Sequence, residues 1–244
     1  MRHTTTLLRT SVALAVATAL LAGCSDSDAD DDKAADAPSS DPTTTAAADP
    51  DGVQALPPND AGADFATLAA GRYRIALGDA LAFDVDVPSE SYAHDDGLFV
   101  ATGPVVLKTE IAGDDFGVAA DPCTRHGIVP AGPGADDLVR ALRALAPFHV
   151  TEPRPVTLGG ARGTYLEATL PASYDTGSCQ GGEVQLPGTP DSAVNGLAPY
   201  IGRWWVLDVE GQRVMVQQAC WECTAADMDA VTSIPESLVF TPAG

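Results

Sequence analysis

The chain has 244 residues, 45% of them apolar, and sets 13 Lys+Arg against 34 Asp+Glu for a formal net charge of −21. That balance argues against a nucleic-acid partner, whose phosphates require clustered basic residues, and against adsorption on anionic lipid through a basic patch. Solubility, repulsion from anionic polymers and attraction of cations are the physical consequences.

In chain order, the first nine residues carry Arg2 and Arg9 and no acid, and an apolar run from Ser11 to Gly23 follows. A spanning helix needs about 18 apolar residues, and this run is shorter. A basic start, a short apolar stretch and small residues at its end mark a secretory signal; no twin arginine is present. Leu21-Ala22-Gly23-Cys24 resembles the lipobox of bacterial lipoproteins. The resemblance implies that the Cys24 thiol takes a diacylglyceryl group and that the chain is cut before it. Residues 1–23 are then a lipoprotein signal peptide. Two acyl chains anchor stably where one binds marginally. The expected partner is therefore a membrane, and the expected address is its extracytoplasmic face.

From Ser25 to about Asp64 the chain is Ala, Asp, Pro, Ser, Thr and Gly, with eleven aspartates and one lysine. Such a composition buries too little apolar surface to offset the entropy of ordering. Residues 24–64 read as a disordered acidic tether, with an end-to-end distance of roughly 35 Å for a flexible coil of that length. Residues 65–244 then form one extracytoplasmic domain, long enough to bury about 70% of its unfolded surface.

Within that domain, strands are predicted at Arg72–Leu77 and Ala82–Val87, where Phe83, Val85 and Val87 alternate with Asp84 and Asp86. Further strands fall at Gly97–Ala101, Val105–Ile111 and Phe116–Ala120. Asp136–Ala146 reads as a helix, with Leu138, Leu142 and Leu145 on one face, acids in the first turn and Pro147 beyond the end. Residues 156–170 read as a hairpin turning at Gly159-Gly160, and 171–202 as a long Gly/Pro-rich loop. A second hairpin pairs Arg203–Glu210 with Arg213–Gln218. Thr224 is placed to cap a helix reaching Ser233, and Ser237–Phe240 makes a last strand. Strands joined by hairpins, without strand–helix–strand alternation, imply an α+β domain: an antiparallel β-sheet flanked by two or three helices.

Tyr73-Arg-Ile, Val87-Pro88, Asp121-Pro122-Cys123, the Asp136-Asp-Leu-Val-Arg-Ala-Leu helix, Leu170-Pro171-Ala172, residues 205–213 and Ser233-Ile together resemble a group of secreted and lipid-anchored actinobacterial proteins of uncharacterised function. Some mycobacterial lipoproteins of this layout are described as PsbP-like, which implies the same α+β fold over most of 72–240.

Beyond Cys24 the chain has Cys123, Cys179, Cys220 and Cys223. An even number in an exported domain points to disulfides, and four cysteines allow three connectivities. The group resembled tends to carry the first two alone, which implies Cys123–Cys179 together with Cys220–Cys223. Cys220-Trp-Glu-Cys223 is also a C-x-x-C, a pattern used in thiol–disulfide exchange. The surrounding chain lacks a βαβ unit, so a local staple explains it with less. The spacing of the four suits zinc poorly. His94, His126 and His149 are not paired at ligand spacing, and the pairs Asp95-Asp96, Asp114-Asp115 and Asp136-Asp137 are explained by turns and caps rather than by a calcium loop. No cofactor or metal is expected. Trp205, Leu207 and Val209 make an apolar set for the core. Trp204, on the opposite face of its strand, is either covered by a helix or an exposed platform for a ligand or partner.

No catalytic constellation is contiguous in the sequence. The reading is a lipid-anchored extracytoplasmic binding or interaction protein whose partner is an envelope protein or a small ligand. The alternatives are a cell-envelope hydrolase with dispersed site residues and a thiol–disulfide protein using Cys220 and Cys223.

Overall fold

Alternation of apolar and polar residues over stretches of four to ten, broken by Gly, Pro and Asp, sets up strands throughout the domain. A computed structural model describes residues 52–57, 65–94, 99–124 and 127–243. The signal peptide, Cys24, His126 and Asp95-Asp96 lie outside these residues.

The elements in order are β1 (Val53–Ala55), β2 (Phe65–Leu68), β3 (Gly71–Leu77), β4 (Leu81–Val87), β5 (Ser91–His94) and β6 (Phe99–Thr102). Next come β7 (Val105–Ile111), β8 (Gly117–Ala119), β9 (Ile128–Pro130), α1 (Ala135–Arg143), β10 (His149–Val150), β11 (Arg154–Leu158) and β12 (Ala161–Leu170). The chain ends with β13 (Val184–Gln185), β14 (Asn195–Gly196), β15 (Tyr200–Val209), β16 (Gln212–Trp221), α2 (Ala225–Ala230), α3 (Ser233–Glu236) and β17 (Val239–Pro242).

A large antiparallel sheet runs β10-β12-β15-β16-β7-β6-β5-β2, with β11 lying end to end with β10 along the outer side of β12. A second sheet runs β1-β3-β4-β17, in which β1 is parallel to β3. The two share an apolar layer: Tyr73, Ile75, Phe83 and Val85 of the small sheet meet Trp205, Leu207, Val214 and Val216 of the large one, with Ile234 of α3 closing one side. The opposite face of the large sheet presents Leu166, Trp204, Val206 and Met215 to Leu138 and Leu142 of α1 and to the chain between β12 and β15.

The α+β expectation is overturned. Strands make up 49% of the described residues and helical turns 14%, spread over several sheets. One face of the large sheet is covered by a second sheet where helices were expected. The sequence pattern locates β3, β4 and β17 but carries no sign that they pair with one another and not with the large sheet. The helix placed over 224–233 breaks after Ala230 into α2 and the four-residue α3. Val53–Ala55, assigned from composition to the tether, form β1, and Val53 is buried.

Local expectations fare differently. β7 has the bounds expected for it. Gly159 and Gly160 turn the β11–β12 hairpin with φ of 58° and 84°, the left-handed region that a type I′ turn requires of both its central residues. The second hairpin turns one residue earlier than expected, at Glu210-Gly211, with φ of 50° and 79°. Thr224 caps α2, its hydroxyl accepting from Asp227 N while Asp227 Oδ2 accepts from Thr224 N at 2.8 Å.

The chain between β12 and β15, residues 171–199, has little regular structure of its own and is held by ties to other elements. A disulfide joins Cys179 to Cys123, 56 residues earlier. Gln180 N donates to Cys123 O (2.8 Å), and Gly117 and Gly188 exchange a pair of backbone hydrogen bonds (2.9 and 3.1 Å). A buried polar cluster adds a third tie. Lys108 and Glu110, two apart on β7 and so on one face, pair at 2.6 Å with side chains only 7% and 5% exposed. Lys108 Nζ donates to Ser192 O, and Ser192 Oγ donates to Glu110 Oε2 at 2.6 Å. Gln217, opposite Lys108 on β16, donates to Glu110 and to Pro187 O.

Candidate functional site

Cross-strand register gathers a second set of polar and aromatic side chains. Arg154 on β11 lies opposite Tyr165 on β12, Tyr165 opposite Trp205 on β15, and Trp205 opposite Val216 on β16. One row along, Glu167 lies opposite Arg203 and Arg203 opposite Gln218. Period-2 alternation puts Tyr165 with Glu167, and Arg203 with Trp205, on the face that meets the small sheet. α2 and α3 border this part of the face with Asp229, Thr232, Pro235 and Glu236. Between these walls a cleft of about 480 Å³ opens to solvent, within the range of small-molecule sites.

The bottom of the cleft is apolar. Trp205 is buried, its indole 5.2 Å from the Tyr165 ring, and Val156, Leu158 and Pro235 complete it. Two charged assemblies form its sides. In the first, the Arg154 guanidinium lies 4.8 Å from the Tyr165 ring centroid and 3.4 Å from Glu167 Oε1, which also accepts from the Tyr165 hydroxyl at 2.8 Å. Burial, and after it the bond to Glu167, raises the Tyr165 phenol far above its usual range, so it stays a hydrogen-bond donor at any physiological pH. In the second, Arg203 donates to Thr232 Oγ1 (2.9 Å), Met228 O (3.4 Å), Gln218 Oε1 (3.5 Å) and Asp229 Oδ1. Arg203 therefore fastens α2 and the turn at Thr232 to the sheet, and its planar fork suits that better than a lysine would.

The sequence places Trp205 in the core and carries no local signal for Arg154, Tyr165, Glu167 or Arg203. Alternation shows that Arg203 and Trp205 share a face. Only register shows that Tyr165, forty residues earlier in the chain, shares it with them.

Trp204 is not a partner surface. It is fully buried beneath α1, its ring 6.3 Å from that of Phe148, and its Nε1 donates to the Tyr200 hydroxyl at 3.2 Å. Gly202 makes this possible: a Cβ there would fall 2.4 Å from the same hydroxyl, so only glycine leaves room for the Tyr200 ring. The platform reading fails because α1 and the 171–199 segment cover that face.

The two expected disulfides are present, Cys123–Cys179 and Cys220–Cys223. Cys220 lies in β16 and is fully buried with Val105 and Met228, while Cys223 is half-buried. Neither cysteine lies in a helix. This placement suits a staple between β16 and the cap of α2 better than thiol exchange, which needs an accessible, activated sulfur. Lys108, Glu110 and Ser192 form the kind of convergence a hydrolase would use, but the lysine and carboxylate are shut away from solvent. His94 lies on β5 with its ring 5.6 Å from that of Phe65, and His149 on β10. Among the described residues, no group of three or more His, Cys, Asp or Glu is placed to hold a metal ion, and no helix is long and apolar enough to cross a membrane.

A comparison with known proteins finds no matching family model and no matching curated sequence.

Proposed function

We propose that this chain is a lipid-anchored binding protein of the extracytoplasmic membrane face, fixed by diacylglycerol on Cys24 and presenting the Tyr165–Trp205 cleft to ligand. The observation that carries the binding reading is that cleft: an apolar floor with two sets of oriented polar groups on its sides and open access to solvent. The lipobox at Leu21–Cys24 carries the address. The resemblance to actinobacterial envelope lipoproteins supports that address alone, since the fold it implies is not the one found.

Two measurements test this. Cys24→Ser is expected to abolish incorporation of a labelled fatty acid and to move the protein out of the membrane fraction; a variant that stays acylated and membrane-bound sinks the anchor. For the cleft, a photo-crosslinking benzoylphenylalanine in place of Glu236, exposed on the cleft lining, is expected to form an adduct in cells. The same group replacing Arg140, exposed on α1, is expected to form none. Identical adduct patterns at both positions would mean that the cleft is not the binding surface.

A further inference from the structure

Five consecutive residues of β11, Arg154 to Leu158, line the cleft. Alternation lets only some of their side chains do so. Arg154, opposite Tyr165, shares its face with Val156 and Leu158, while the side chains of Pro155 and Thr157 point to the other face. Pro155 and Thr157 therefore reach the cleft at their main chain, and the edge of the strand is itself a wall.

The hydrogen-bonding phase of that edge follows from the turn. A two-residue hairpin closes on a doubly bonded pair, here Leu158 and Ala161. Leu158, Val156 and Arg154 thus direct their N–H and C=O groups to β12, and those of Pro155, Thr157 and Gly159 point outward. β17 already uses one end of this edge: Phe240 N donates to Gly159 O at 3.4 Å. Next to it lie Thr157 N–H, Thr157 C=O and Pro155 C=O, to which no hydrogen bond runs from any other described residue. Proline has no N–H, which shortens the open edge and limits indiscriminate pairing. Asp229 of α2 and Glu236 of α3 stand across the cleft. A groove between a strand edge and a helix is the geometry in which an extended peptide adds as a further strand.

Charge selects among such peptides. On a chain of net charge −21, a second copy and the aspartate-rich stretch from Ser25 to Asp64 are both disfavoured. Glu236, exposed at the mouth, has no basic partner among the described residues, and Arg154 is paired with Glu167.

Resting on the binding reading above, we infer that the cleft takes an extended, positively charged segment of another protein as a strand along β11. N–H groups two residues apart in that segment donate to the carbonyls of Pro155 and Thr157, one of its carbonyls accepts from Thr157 N–H, and alternate side chains enter the cleft.

The test uses the full acylated chain in detergent micelles and a library of capped heptapeptides randomised at every position, with the binders measured by fluorescence anisotropy. The selected peptides are expected to carry net positive charge. Each amide of a selected peptide is then N-methylated in turn. Binding is expected to weaken by about tenfold or more at two amides two residues apart, the ordinary cost of one unmade hydrogen bond, and hardly at the amide between them. Thr157→Pro removes the edge N–H without touching the ladder to β12, as Pro155 already does two residues earlier, and is expected to weaken binding by a similar factor. Thr157→Ala keeps the N–H and is expected to bind as the wild type does. Binding indifferent to N-methylation or to Thr157→Pro overturns strand addition at this edge, and selected peptides of net negative charge overturn the partner's chemistry. A wild-type dimer in sedimentation that Thr157→Pro dissociates assigns the edge to a second copy and overturns the proposal as well. If no peptide binds while the Glu236 adduct persists, strand addition falls and the binding reading stands. If both are blank, both fall.

Discussion

Replacing Lys108 with methionine is expected to lower the free energy of unfolding by about 3–5 kcal/mol, the usual cost of removing one partner from a buried ion pair. Methionine fills nearly the same volume, so packing changes little and the charge accounts for the loss. The Glu110 carboxylate would be left desolvated, with only the neutral donors Ser192 Oγ and Gln217 Nε2 facing it. The Ser192 carbonyl would lose its donor as well. A drop in the thermal midpoint on the order of 10 °C is the corresponding shift for a domain of this size. The double variant Lys108→Met/Glu110→Leu is expected to recover at least half of the loss, because replacing both charges with apolar groups removes the uncompensated ion. Urea unfolding of the wild type and both variants decides it. Equal midpoints for the single and double variants would show that the stranded Glu110 charge does not account for the loss.

Removing the long disulfide is the second large effect. Cys123→Ser/Cys179→Ser frees a loop of 56 residues. The chain-entropy account assigns a closure of that length roughly 4 kcal/mol. Cys179 also packs in the layer beneath α1, with Cys123 against it, so lost packing adds to the entropic part. Cys220→Ser/Cys223→Ser opens a separation of three residues, for which the same account gives only about 1.5–2 kcal/mol. The long-loop variant is therefore expected to unfold at clearly lower urea than the short-loop variant. A reversed order would place the main covalent constraint at the β16–α2 junction. Both variants bear on the same physical point: a segment with almost no ladder of its own stays ordered through a covalent tie and a buried ion pair.

The parts of the fold that could be read from the sequence are those set by neighbours in the chain. Val105–Ile111 is a stretch rich in β-branched residues between Gly103-Pro104 and Ala112-Gly113, so its bounds follow from the local chain. Gly159-Gly160 can take positive φ because neither has a Cβ, whatever packs nearby. Thr224 and Asp227 are three apart, the spacing of a reciprocal cap. Trp205, Leu207 and Val209 form one face by strand geometry alone. The disulfide pairing was legible through a family resemblance, not through spacing.

The candidate site was not legible, and Arg203 shows why. As a sequence symbol it is one of thirteen basic residues. Its role depends on lying opposite Glu167 and Gln218 while Asp229 and Thr232 arrive from α2 and the turn after it. Lys108 is similar: a charged residue in an apolar strand gave no warning that Ser192, 84 positions later, would bury it.

By itself, then, the sequence determined local geometry: strand periods, the glycine turn and the Thr224 cap; it also carries the lipobox on which the proposed anchor rests. Tertiary structure decided everything that depends on what covers a face. It made Trp204 core and not platform, gave β3, β4 and β17 a sheet of their own, drew Val53–Ala55 out of the supposed tether, and opened the cleft over Trp205. The physical reason is that alternation tells which side chains share a side of a strand. What lies on that side is set by register and layer packing between segments tens of residues apart, and the free energy of those contacts is written in no single stretch of the chain.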